Sequence, residues 1–241
     1  MTTCKNCDLY FEGRYCSLCG QKSSIERIHS FSIFNDLQLG LFNIDSGFFF
    51  TIKELFIRPG YAIRDYVAGK RVRYFMPVSM LVVLSTIYSF LYHYLDINLF
   101  YQASSKLAQD EKYLKLASIL DGNYVYYTLA TLPIFSFSSW LIFNKQSYNF
   151  PEHFVLNTYA ACQRIIFHIA FLSILYSVPE EPSARKLITR FELIINTILF
   201  LWCYFQFFQL TAFGLIFKTS LSLLFSYLII ISLIMVCYYV L

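Results

Sequence analysis

The sequence predicts an all-α polytopic membrane protein of about five transmembrane helices, with a small zinc ribbon at its N-terminus. Three observations carry that reading. The 241 residues are 57% hydrophobic and 20% aromatic, with 26 Phe and 20 Tyr, and only 14% are charged, against roughly 25% in soluble domains. A globule of this size has too much surface for its volume to hide so many apolar side chains, and disordered chains are poor in them. Five long runs are almost free of charge, and four cysteines stand in two close pairs near the start.

The chain divides into residues 1–24 (ribbon), 25–75 (amphipathic juxtamembrane helices) and 76–241 (membrane helices). In the first part, Cys4-Lys5-Asn6-Cys7 and Cys16-Ser17-Leu18-Cys19 form two C-x2-C pairs eight residues apart. Each pair places two sulfurs on one tight turn, and facing turns make a tetrahedral thiolate cage suited to zinc. Iron suits the same cage less well but stays open. Four protein ligands leave no free coordination position, so the ion is structural and folds a unit too small to fold alone. Gly20 follows the second pair, where a residue free to take positive φ is useful. Disulfides are disfavoured because this end is expected in the reducing cytoplasm.

In the second part, apolar residues recur at helical spacing at Phe34, Leu37, Leu41 and Phe42, then Phe48, Ile52, Leu55 and Phe56, then Ile63, Tyr66 and Val67. Pro59-Gly60 and Gly69 punctuate them. Such helices lie in the membrane interface. Arg58, Arg64, Lys70, Arg71 and Arg73 crowd the approach to the first long run. They orient the N-terminus to the cytoplasm and are candidates to bind anionic lipid headgroups or phosphate. The net charge of +4 thus sits at the membrane flank, which argues for lipid and against nucleic acid.

In the third part the apolar runs are 76–94, 124–143, 154–178, 191–217 and 219–241. Each is near the roughly 20 residues a bilayer requires. Only Lys218 and its neighbours separate the last two. The third run carries the densest polar set. Glu152 and His153 stand at its mouth, and Asn157, Arg164 and His168 share one helix face by spacings of seven and four. Antiparallel arithmetic for the next run makes Gln206 a partner for Arg164. Ionisable groups at membrane depth are costly and point to a buried partner or a functional site. Cys162, Cys203 and Cys237 read as single packing residues.

The pattern C-x2-C…Y-C-S-x-C-G-Q-K, from Cys4 to Lys22, followed by T-x-K-E-L-x-x-R-P-G-x-x-x-R-D-Y-x-x-G-K-R-x-R-Y-x-x-P, from Thr51 to Pro77, resembles the DUF3667 family. The step Asn149-Phe150-Pro151-Glu152-His153-Phe154-Val155 resembles its second signature. The resemblance implies an uncharacterised bacterial inner-membrane protein with a ribbon-plus-membrane layout, and it implies no activity. The chain also lacks nucleotide-binding, hydrolase and metalloprotease motifs. The expected function is a membrane scaffold, assembly or regulatory subunit that binds a protein partner through the ribbon. The alternative is a transporter or lipid-handling protein using the polar face of the third run. A carrier this small would need to form a homo-oligomer.

Overall fold

A computed structural model describes residues 2–29, 46–95, 124–178 and 182–240. The chain begins with a two-stranded antiparallel hairpin, β1 (Thr2–Thr3) and β2 (Tyr10–Phe11), with Thr2 opposite Phe11 and Thr3 opposite Tyr10. Seven α-helices follow among the described residues. They are α1 (Ser46–Ile57), α2 (Pro59–Ala68), α3 (Pro77–Tyr94), α4 (Tyr124–Ile142), α5 (Phe150–Ser177), α6 (Pro182–Phe208) and α7 (Ala212–Val240). The face predicted at Phe34, Leu37, Leu41 and Phe42 lies outside the described residues.

Local chemistry sets most of the boundaries. Pro59 and Pro77 open α2 and α3 at first-turn positions, where a missing N–H costs nothing. Gly69 ends α2 at φ 111°, and the Lys70 N–H returns to the Asp65 carbonyl at 2.9 Å, closing the turn. Helix α5 starts with a reciprocal cap: the Glu152 N–H donates to the Asn149 side chain at 2.9 Å, and the Asn149 N–H donates to the Glu152 carboxylate at 2.8 Å. That cap starts α5 four residues ahead of the predicted apolar run.

Helix α5 is the centre of the body. It packs against α3, α4 and α6 and also meets α1 and α2. Leu156, Tyr159, Cys162 and Ile165 are fully enclosed there. Its polar side chains close backbone groups left open by its neighbours. Gln163 donates to the Leu55 carbonyl at 2.8 Å near the end of α1, and the Tyr159 hydroxyl donates to the Phe75 carbonyl at 2.6 Å. Leu55, Ile63 and Tyr66 are buried in the same core. The apolar faces of α1 and α2, expected to lie flat on lipid, therefore mainly cover the helical body, leaving Phe49, Ile57 and Tyr61 exposed.

Among the described residues three helices are long and apolar enough to cross a membrane: α5, residues Arg190–Phe208 of α6, and Ala212–Tyr239 of α7. The last of these exposes Phe213, Phe217, Leu224, Leu228 and Ile231. So broad an apolar face is rare on soluble monomers. Pro133 lies inside α4. The predicted break at Lys218 is corrected. Gln209 leaves the helix at φ 51° and α7 begins at Ala212, so the separation falls at 209–211. Lys218 lies within α7, with its ammonium 5.8 Å from the centre of the Phe143 ring.

Candidate metal centre and its seat on the helical body

The four N-terminal cysteines come together as the spacing predicts. One ligand atom from each lies within 4.8 Å of every other, and Cys4–Cys19 and Cys7–Cys16 approach to 3.5 Å between sulfurs. A tetrahedral ion with bonds of about 2.3 Å sets its sulfurs about 3.8 Å apart, so the four thiols fit a metal ion. The two turns repeat each other with an offset of twelve residues. In the first, the Cys4 N–H donates to the Leu9 carbonyl and the Asp8 N–H to the Cys4 carbonyl. In the second, the Cys16 N–H donates to the Gln21 carbonyl and the Gly20 N–H to the Cys16 carbonyl. The strand pair Thr3–Tyr10 is matched by a bridge between Tyr15 and Lys22. Gly20 takes φ 73°, and its counterpart Asp8 takes φ 58°. Asp8 is a residue the sequence analysis passed over, although aspartate is among the few that tolerate this region.

The ribbon is fixed to the body by a residue two positions past its last cysteine. Gln21 is buried; its amide donates to the Gly69 carbonyl at 2.9 Å and accepts from the Arg71 N–H at 3.2 Å. From there an extended strap runs to the mouth of α5. Arg27 donates to both Glu152 oxygens at 2.7 Å and to the Ser147 carbonyl at 2.6 Å. The Asn149 amide donates to the Ile28 carbonyl at 3.0 Å. The Glu152 carboxylate holds the Arg27 guanidinium still further into its charged form. Glu152 is thus the joint between strap and helix. Arg27 carries no sequence signal, because its partner lies 125 residues away.

The basic cluster divides. Arg58 binds Glu54 at 2.5 Å and Asp65 at 3.2 Å, and Lys70 binds Asp65 at 3.1 Å. The Tyr74 hydroxyl donates to Asp65 at 3.4 Å, and burial pushes its phenol above the ordinary range. Arg71 reaches the Glu26 carbonyl at 3.0 Å and lies over Tyr66, whereas Arg73 lies over Phe50. Arg64 is half-buried on α2. Two of the five candidate phosphate ligands are therefore already matched by carboxylates.

The polar face predicted on α5 also divides. His153 is enclosed; its Nδ1 shares a hydrogen bond with the Ser139 hydroxyl at 3.0 Å, while Nε2 has no partner among the described residues. Asn157 donates to Ser139 at 3.0 Å and accepts from the Tyr204 hydroxyl at 2.9 Å. Arg164 lies 5.8 Å from the centre of the Phe200 ring, and its Nε has no partner among the described residues. His168 Nδ1 is paired with Glu192. The expected Arg164–Gln206 pair is corrected. Gln206 instead accepts from the Gly60 N–H at 3.1 Å. The pairs Asn157–Tyr204 and His168–Glu192 set Arg164 level with about residue 196 of α6, nearly two turns from where unbroken spans had put it. Of the single cysteines, Cys162 and Cys203 are buried as expected and Cys237 is exposed.

Residues 45–89 match the family model described as "Protein of unknown function (DUF3667)". No curated protein and no solved structure matches the chain. The matched segment holds the seat of the ribbon and much of the first charge network. Within it Thr51 accepts from the Phe75 N–H at 2.8 Å, Gly60 lets α2 touch α6, and Gly69 receives Gln21. Its motif residues therefore act as joints between elements.

Proposed function

We propose that this chain is a multi-pass bacterial inner-membrane protein whose zinc ribbon, on the cytoplasmic side, docks a protein partner to a five-span helical body. In this reading α3 and α4 complete the bundle begun by the three long apolar helices. The ion is zinc, which prefers a closed tetrahedral thiolate cage; with no open position it organises a surface and does no chemistry. The observation that carries the reading is that the ribbon is anchored yet keeps apolar surface open. It is tied to the body through Gln21, and the strap behind it through Arg27, while Tyr10 (76%), Tyr15 (63%) and Leu18 (70%) stay exposed. Aromatic side chains held rigid at a surface are favoured anchors for a protein partner. Phe49, Ile57 and Tyr61, with Arg64, supply the contact with lipid headgroups.

The test is purification in mild detergent of wild type, a Cys16→Ser/Cys19→Ser variant and a Tyr10→Ser/Leu18→Ser variant, with metal and co-purifying protein quantified together. Near-stoichiometric zinc with a partner that both variants lose, zinc being retained in the second, supports docking. A zinc-loaded wild type that emerges alone removes the reading. Lipid or small-molecule handling along α5 then takes precedence, motivated by the buried Arg164 Nε, which has no hydrogen-bond partner among the described residues.

A further inference from the structure

Beyond Glu152, Arg164 is the only Lys, Arg, Asp or Glu in α5. Arg27, Arg58 and Lys70 each meet a carboxylate. Arg164 meets none among the described residues, and its Nε is buried without a hydrogen bond there. Glu192, the single acid in the spanning part of α6, is engaged by His168. A charge drawn in among apolar helices is costly unless a counter-charge meets it. Arg164 therefore lacks an anion that the described part of the chain does not supply.

Its surroundings come from four helices and suit one kind of anion. The guanidinium lies 5.8 Å from the centre of the Phe200 ring on α6. Tyr127 on α4 is within reach of its charge, and Tyr227 on α7 is within electrostatic reach of Tyr127. Both tyrosines are exposed and Arg164 is half-buried, so the seam opens outward at this point. Asn196, one turn before Phe200 on the same face of α6, keeps a buried Oδ1 without a partner among the described residues. A guanidinium fork matches the oxygens of a phosphate, phenols add neutral donors, and the Asn196 oxygen can accept from a hydroxyl. Beside Tyr227, α7 exposes Leu224, Leu228 and Ile231. The oxyanion position thus adjoins bare apolar surface, which an acyl chain covers and free phosphate does not.

We propose that Arg164, with Tyr127 and Tyr227, binds the oxyanion headgroup of an acidic phospholipid in the seam between α4, α5, α6 and α7. Basic positions between membrane helices are established receivers of such headgroups. Binding is non-covalent: the lipid supplies the missing counter-charge, and its chains lie along α7. The site rests on the membrane placement proposed above and is independent of partner docking.

The experiment is native mass spectrometry of the full chain released from detergent after titration with phosphatidylglycerol or phosphatidylcholine. Wild type retains one phosphatidylglycerol with about tenfold or greater preference over phosphatidylcholine, and Arg164→Gln removes that preference, as loss of one charge-assisted contact requires. Lys145→Gln, which deletes an exposed cation in the α4–α5 connection, keeps it. Metal and helix content report folding. Should Arg164→Gln misfold, wild type decides alone: a phosphatidylglycerol analogue with a photoreactive headgroup cross-links to α4, α5, α6 or α7. Cross-links confined to residues 46–77 place the lipid on the basic flank and overturn the site. So does equal uptake of the two lipids by wild type, or a preference that survives in Arg164→Gln. Displacement of the lipid by excess inorganic phosphate overturns its assignment as the ligand. Failure of the membrane placement itself reads differently, because the chain then stays soluble without detergent.

Discussion

Arg27 grips both oxygens of Glu152 at 2.7 Å across 125 residues of sequence, and through that pair the four-cysteine ribbon is joined to the central helix. Glu152 is 4% exposed, whereas Arg27 is half open to solvent. The carboxylate keeps a second donor, the Asn149 N–H, if the arginine is removed. Arg27→Ala should therefore cost only about 1–2 kcal/mol while loosening the strap. Limited proteolysis of residues 22–29 should accelerate with metal still bound. Unchanged cleavage would mean the strap is held by other contacts.

Gly60 offers a sharper steric test. A Cβ there would lie 2.3 Å from the Phe207 nitrogen and 2.4 Å from the Cys203 oxygen, both backbone atoms that cannot swing aside. Gly60→Ala must push α2 off α6 and lengthen the Gly60–Gln206 hydrogen bond, at a cost of about 1–3 kcal/mol or more. Gly47→Ala meets its nearest atom at 3.4 Å and is the mild comparison. Thermal unfolding of the two variants in detergent should separate them clearly; similar midpoints would contradict the close approach.

The twelve-residue repeat of the ribbon predicts opposite outcomes at equivalent positions. Asp8→Gly places a glycine at φ 58° and should hold metal at least as tightly, while Gly20→Val forces a branched residue to φ 73°. Left-handed backbone costs an ordinary residue about 1–2 kcal/mol, which corresponds to roughly a tenfold loss in affinity, readable by competition with a coloured chelator. Equal affinities would show that the turn relaxes.

The Tyr204 hydroxyl, fully buried, donates to Asn157 at 2.9 Å. Tyr204→Phe leaves the Asn157 carbonyl oxygen without that donor, at a cost of about 0.5–2 kcal/mol. Ser139→Ala should interact with it non-additively, because both side chains meet Asn157. A double-mutant cycle on unfolding in detergent measures this, and strict additivity would break the proposed network.

Much of this could be read from residue order. The two C-x2-C pairs specify facing turns because each needs only its own few residues, and Pro59, Gly69 and Pro77 mark helix ends through φ alone. The α6–α7 break was misplaced because a left-handed Gln209 leaves no compositional mark, whereas Lys218 interrupts an apolar run without ending the helix. That same misplacement put Gln206 opposite Arg164.

Composition and local spacing by themselves determined a largely helical, strongly apolar chain with a four-thiol cage, because hydrophobic burial and metal ligation follow residue type and short-range geometry. Only the tertiary structure decided which polar groups meet: Arg27 with Glu152, Gln21 with the Gly69 turn, Gln206 with Gly60, His168 with Glu192. The last two pairs are set by helix register and crossing points, the first two by where the ribbon and its strap settle on the body. A shift of two turns in register would exchange the helix–helix pairs while leaving composition and hydropathy unchanged.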